Sequence, residues 1–261
     1  MEQTTAGSYK IAVQKNGCKG CKGDEGPLIP FEYAFQPIVS FSGRSVFAHE
    51  ALIRGPNGES AYSVLSQIND DHRYRFDQAC RTKAVKTAAE IGMKELLSIN
   101  FLPNAVYEPA ACIQSTFRAC MEHDFPTERI MFEVTEGERV DDRPHLINIF
   151  ESYNRFGFKT AIDDFGAGYA GLSLLSEYQP HVVKIDMELV RNIDTSKPKQ
   201  AIVQGVVLTC GMIGSLVVAE GIETKAERDC LAAIGIDLMQ GYLFARPAFR
   251  SLAQLDQDCF I

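Results

Sequence analysis

Eight short, mostly apolar runs alternating with segments of helical pattern predict an α/β fold, a TIM-like (β/α)8 barrel whose first strand runs antiparallel to the rest. Three observations carry that prediction. The runs have strand length and are bounded by turn residues. After the second run every gap is long enough for a crossover helix. At 261 residues the chain has the size at which such a barrel forms as one unit. An open doubly wound sheet is the alternative, and it is less suited because eight strands of similar length can close on themselves.

Residues 1–30 read as an extension and 31–261 as the barrel domain. Within the extension, Asn16-Gly-Cys-Lys-Gly-Cys-Lys-Gly-Asp-Glu-Gly-Pro27 has no apolar period. Its Cys18 and Cys21 form a CxxC motif with no second CxxC and no histidine before His49, so they are read as without function, as a metal site completed from elsewhere, or as a redox pair. The first two strands, Tyr33 to Val39 and Val46 to Arg54, are joined by Ser40-Phe-Ser-Gly-Arg-Ser45, which is too short for a crossover and predicts a hairpin. A helix follows over Asp71 to Ile91, where Phe76, Ala79, Cys80, Ala84, Val85, Ala88 and Ile91 recur at helical spacing and Gly92 supplies a stop. The remaining strands are Leu96 to Phe101, Ile130 to Val134, Lys159 to Asp163, Val182 to Asp186, Leu216 to Glu220 and Leu238 to Tyr242. Helices are expected at Cys112 to His123, His145 to Phe156, Leu172 to Tyr178, Gln200 to Ile213 and Lys225 to Ile234.

Composition narrows the function classes. Lys and Arg total 26 against 34 Asp and Glu, a net charge of -8, which argues against a nucleic-acid polymer or an anionic membrane as partner. No run approaches a membrane span and the first nine residues lack the features of a signal peptide, so a cytoplasmic location and reduced cysteines are expected.

The ends of the predicted strands are almost all polar. Glu50, Asn100, Glu133 with Glu136, Asp163 with Asp164, Lys184 with Asp186, Glu220 with Glu223, and Gln240 occupy them in order. In a barrel those ends converge on one mouth. Carboxylates gathered there need a cation, because buried unpaired carboxylates are costly or neutralise. Oxygen donors without His or Cys suit Mg2+ or Mn2+ better than Zn2+. Two ions bridged through the Asp163-Asp164 pair are the expected arrangement. His49, one residue before Glu50, faces the other way by strand alternation and is expected to pack outside the barrel.

The motifs Glu50-Ala-Leu-Ile-Arg54, Ser-Ile-Asn100-Phe-Leu-Pro, Phe132-Glu-Val-Thr-Glu136, Asp163-Asp-Phe-Gly-Ala-Gly168, Lys184-Ile-Asp186, Ala219-Glu-Gly-Ile-Glu223 and Gln240-Gly-Tyr242 together resemble the EAL-domain cyclic di-GMP phosphodiesterases of bacteria. They occur in the family order and span residues 31–250. The resemblance implies a stand-alone EAL protein that hydrolyses cyclic di-GMP to linear pGpG, within second-messenger signalling that regulates biofilm formation and motility. It implies that Glu50, Asn100, Glu133 and Asp163 hold one ion and that Asp163, Asp164 and Glu220 hold the other. Lys184, Glu220 and Glu50 form the catalytic set, with Lys184 on the attacking water. Gln36, Arg54, Asp186 and Gln240 resemble substrate-binding positions, and Arg54 suits a phosphate oxygen.

The loop containing Gly166 and Gly168, braced by Glu136, links dimerisation to the metals in that family, with Glu223 beside the site. Many members carry Thr and Ser where this chain has Ala167 and Ala170, which touches loop regulation and leaves the metal ligands intact. A homodimer and a separate regulatory protein are implied partners. Some EAL domains bind cyclic di-GMP without useful turnover, which keeps a receptor as the alternative. Without the resemblance, paired carboxylates at a barrel mouth also suit a glycosidase, but the chain has no Trp for a sugar platform.

Overall fold

The computed structural model describes residues 29–136, 143–168 and 171–261. Cys18, Cys21 and Ala170 lie outside the described residues. The barrel consists of β1 (Glu32–Ser40), β2 (Ser45–Arg54), β3 (Leu96–Asn100), β4 (Ile130–Thr135), β5 (Lys159–Phe165), β6 (Val182–Ile185), β7 (Leu216–Ala219) and β8 (Leu238–Met239). Strands β2 to β8 run parallel in sequence order, and β1 closes the ring by pairing antiparallel with both β2 and β8. The expected barrel with one reversed strand is what forms. A short β9 (Ala248–Phe249) pairs with β1 outside the ring, at Ala34 and Phe35.

The outer layer contains α1 (Ala61–Leu65), α2 (Asp70–Glu90), α3 (Pro109–Cys112), α4 (Gln114–Glu122), α5 (Arg143–Arg155), α6 (Gly171–Glu177), α7 (Met187–Val190), α8 (Lys197–Ile213) and α9 (Lys225–Ile234). On α2 the predicted apolar face is buried at Phe76, Cys80, Ala84, Val85 and Ala88. Helix α9 starts on a capping box in which Thr224 and Glu227 satisfy each other's backbone amides. His49 is buried and lies 3.7 Å from Glu95, consistent with outer-layer packing. No described helix is long and apolar enough to cross a membrane.

The departures from the predicted elements have local causes. The run Cys112 to His123 begins earlier, on Pro109, and divides at Ile113 into α3 and α4. Strand β6 stops at Ile185, and Asp186 is instead the N-cap of α7, its Oδ1 accepting the Glu188 amide at 2.8 Å. Strand β8 ends at Met239 rather than Tyr242. The chain turns there because Gly241 lies against the Ile222 backbone, where a Cβ would come 2.0 Å from the Ile222 carbonyl oxygen.

Candidate metal centre and active site

Strand alternation fills the barrel interior in two layers. Ile38, Ala48, Met131, Ala161, Val182, Val218 and Leu238 form a separate apolar cluster at the lower level. Two residues further toward the mouth stand Gln36, Glu50, Glu133, Asp163, Lys184, Glu220 and Gln240, the last two just past the ends of β7 and β8, and all of them but Glu220 are buried. The polar ring is therefore a register consequence. Along these seven strands a polar inward residue follows an apolar one at the strand period of two, and the pairing is staggered, with Glu133 opposite Ala161 and Lys184 opposite Val218, as tilted barrel strands require.

Lys184 sits at the centre of this ring with no solvent exposure. Its Nζ lies 2.8 Å from Glu220 Oε1, 3.0 Å from Glu133 Oε2, 3.0 Å from Asp163 Oδ1 and 3.4 Å from Glu50 Oε2. Burial works against its charge, but Asp163, Glu133, Glu220 and Glu50 outweigh burial and hold the ammonium well above the ordinary lysine range. Glu50 is further fixed by Asn100 Nδ2, donating to Oε1 at 3.1 Å, and by Gln240 Nε2, donating to Oε2 at 2.8 Å. One lysine cannot neutralise the ring. Burial pushes the Glu133 carboxyl up to about 8, and burial together with Asp163 pushes Asp164 up to about 6. Glu220 is likewise raised well above the carboxylate range by burial.

Asp164 reaches the mouth by an unusual route. Its φ of 52° is left-handed and the pairing of β5 with β6 breaks register between Ile162 and Phe165. Simple alternation would send successive carboxylates to opposite faces, and this local turn lets Asp163 and Asp164 share one side.

The donors fall into two overlapping triads. Carboxylate oxygens of Glu50, Glu133 and Asp163 lie within 4.8 Å of one another, and so do those of Asp163, Asp164 and Glu220. All are hard oxygen donors, which suits Mg2+, Mn2+ or Ca2+. Glu133 Oε1 is buried without a hydrogen bond of ordinary geometry, an acceptor that a cation would satisfy. The residues thus fit divalent metal ions.

A cavity of about 240 Å³ opens beside the ring, lined among others by Gln36, Glu50, Asp164, Asp186, Glu220, Glu223 and Gln240. Arg54 is not part of that lining, and its Nη1 donates to the adjacent Ile53 carbonyl at 2.7 Å. Glu223 is held by two bonds from Arg191, at 2.9 and 3.0 Å. Glu136 braces the glycine loop through three backbone amides: Gly166 and Gly171 at 2.7 Å and Gly168 at 3.3 Å. Gly166 has a φ of 100°, and a Cβ there would meet Leu189 at 2.5 Å, so the loop needs glycine at that point.

The cavity also includes Met187 and Tyr242, neither of which stands among the strand-end candidates. Both are large and about half exposed, and Arg246 lies over the Tyr242 ring at 4.2 Å. Their position directly after Asp186 and just beyond Gln240 is the signal that could have found them. A wider surface groove of about 570 Å³ between α2 and α4 contains none of the strand-end acids.

With this geometry in place, similarity to known proteins is decisive at the family level. A family model for the EAL domain matches residues 30–247. The chain belongs to the EAL domain family. Among solved structures, a standalone versatile EAL protein from Vibrio cholerae O395 in its c-di-GMP bound form is 48% identical with a TM-score of 0.87, covering 90% of this chain and 99% of that one. Klebsiella pneumoniae BlrP1, in a manganese and cyclic di-GMP complex at pH 6, is 38% identical with a TM-score of 0.83, covering 89% of this chain and 59% of that one. Among curated EAL relatives, the blue light- and temperature-regulated antirepressor BluF of Escherichia coli is 32% identical over 88% of this chain. The cyclic di-GMP phosphodiesterase RocR of Pseudomonas aeruginosa is 28% identical over 83%. The match spans 57% of BluF and 57% of RocR, so the chain corresponds to about half of each of those proteins.

Proposed function

We propose that this EAL domain hydrolyses cyclic di-GMP to linear pGpG with the help of two divalent metal ions. The observation that carries the reading is the pair of carboxylate triads sharing Asp163 around a buried lysine. Mg2+ or Mn2+ would supply Lewis acidity, neutralising phosphate charge and bringing the pKa of a water toward neutrality. Glu50, Asn100, Glu133 and Asp163 would hold one ion, and Asp163, Asp164 and Glu220 the other. Lys184 keeps its proton, donates to the attacking water and orients it toward phosphorus. In-line attack forms a bond from the water oxygen to phosphorus and breaks the bond from phosphorus to the 3′ oxygen; the water gives up a proton to solvent and the 3′ oxygen takes one up from solvent, which opens the ring.

Gln36, Gln240 and Asp186 line the space for the dinucleotide together with Met187 and Tyr242. Arg54 meets a phosphate only after leaving the Ile53 carbonyl. The reading assigns the activity to residues 31–261 acting in a bacterial cytoplasm as a homodimer. Glu136 and its loop, and a separate regulatory protein, would control it.

A receptor without turnover is the second reading, favoured by the likeness to BluF, a protein named for antirepression. Incubation of purified protein with cyclic di-GMP and Mg2+ or Mn2+, with and without chelator, separates the two. Metal-dependent appearance of pGpG supports hydrolysis; tight binding of cyclic di-GMP with no product in either metal overturns it in favour of the receptor.

A further inference from the structure

Behind the mouth, between α2 and the exits of β3 and β4, lies a charged group outside every strand-end motif. Asp77 and Arg81, one turn apart on α2, are 3% and 0% exposed and form an ion pair. The guanidinium donates to the Tyr153 hydroxyl at 2.5 Å and lies over the rings of Phe101 and Phe132 at 5.3 and 5.5 Å. The second carboxylate oxygen, Asp77 Oδ1, accepts the backbone amide of Leu102 at 3.0 Å. Three of these partners, Phe101, Leu102 and Phe132, adjoin a proposed metal ligand in the chain. Phe101 and Leu102 follow Asn100, and Phe132 precedes Glu133. The Phe101 amide also donates to the Glu133 carbonyl at 3.1 Å, tying the two strand exits together.

A buried ion pair is a poor source of stability, because desolvation offsets the attraction and a well-packed apolar pair does as well. What the Asp77 carboxylate adds is an acceptor for the Leu102 amide, at the point where β3 leaves the sheet and the partner becomes a side chain from α2. That bond sets the backbone directly after Asn100, the residue whose side chain reaches Glu50. We propose that Asp77 is a positioning residue for the metal centre: it fixes the exit of β3 so that Asn100 faces Glu50. The inference rests on the metal-binding reading of the site. Asp77 acts through the backbone, two residues from the ligand, without touching metal or substrate.

The test compares two double variants that both lack the ion pair. D77N/R81M keeps an oxygen acceptor for the Leu102 amide, whereas D77A/R81M does not. Mn2+ binding is read directly from the free-ion signal in an electron paramagnetic resonance titration, with thermal unfolding recorded alongside. The expected result is that D77A/R81M loses about 10-fold or more in Mn2+ affinity, the range found when groups supporting a ligand are removed. D77N/R81M stays close to the wild type at a similar Tm. Activity of the alanine variant then returns as Mn2+ is raised.

Val203→Ala, a buried change on the remote helix α8, serves as the control for lost stability. If D77A/R81M yields no folded protein, Leu102→Pro removes the amide donor instead, and the same loss is expected. Equal Mn2+ affinity in the two double variants, or in Leu102→Pro and wild type, overturns the inference, as does an equal loss in Val203→Ala. Wild-type protein that binds no Mn2+ overturns the metal reading and this inference together.

Discussion

The two interior layers of the barrel share the same strands and differ in what they do. The lower layer, from Ile38 to Leu238, is apolar and buried, and its side chains need nothing but close packing. The upper layer crowds Glu50, Glu133, Asp163 and Glu220 around Lys184. Without further cations it is held by one ammonium and carries like charges in contact, an arrangement that lowers stability. Moving two residues along a strand therefore crosses from a layer that stabilises the fold to one that draws on that stability in order to bind a ligand.

The largest expected departure comes from Asp163→Asn. Loss of the carboxylate common to both triads should lower cyclic di-GMP turnover by more than about 10²-fold, beyond the loss from removing a group that only supports a ligand, measured by nucleotide chromatography. The metal-free Tm should hold or rise, because a like charge has gone from the ring. A clear fall in Tm would place Asp163 with the stabilising layer and break the contrast.

Lys184→Met follows, with kcat reduced about 10²- to 10³-fold, the loss typical of removing one preorganised donor, and KM little changed. Steady-state kinetics at saturating Mn2+ decides it, since a lysine that was only a counter-ion to the acids would leave kcat nearly intact.

In the lower layer the effect should move from rate to stability. Met131→Ala is expected to cost about 2–5 kcal/mol in urea unfolding, while kcat per folded molecule stays within a few-fold. A large loss of kcat with unchanged stability would show that the layers are not separable.

The smallest change belongs to the rim. Glu223→Gln breaks an exposed pair with Arg191 and should shift stability by no more than about 0.5 kcal/mol in the same unfolding assay. A shift of several kcal/mol would extend the stabilising region to the mouth.

Much of this was legible in the chain. The hairpin, the parallel strands and the buried face of α2 follow from loop length and apolar periodicity, which are local properties. The acids at the strand ends were legible for the same reason, since their spacing from apolar inward residues is fixed at two. Termination was harder to read. Asp186 continues the apolar run Val182 to Ile185, yet it caps a helix, and the end of β8 depends on Gly241 meeting Ile222 across the barrel.

Sequence alone therefore determined the barrel, the order of the acids and their hard oxygen chemistry, because strand alternation and side-chain type are written residue by residue. Only the tertiary structure decided that Lys184 stands at the centre of the acids, within 3.4 Å of four carboxylates, and that Arg54 turns to its own backbone. It also gave Glu136 three loop amides and set Asp77 behind Asn100. Those relations join residues tens of positions apart, and their distances exist only once the ring of strands has closed.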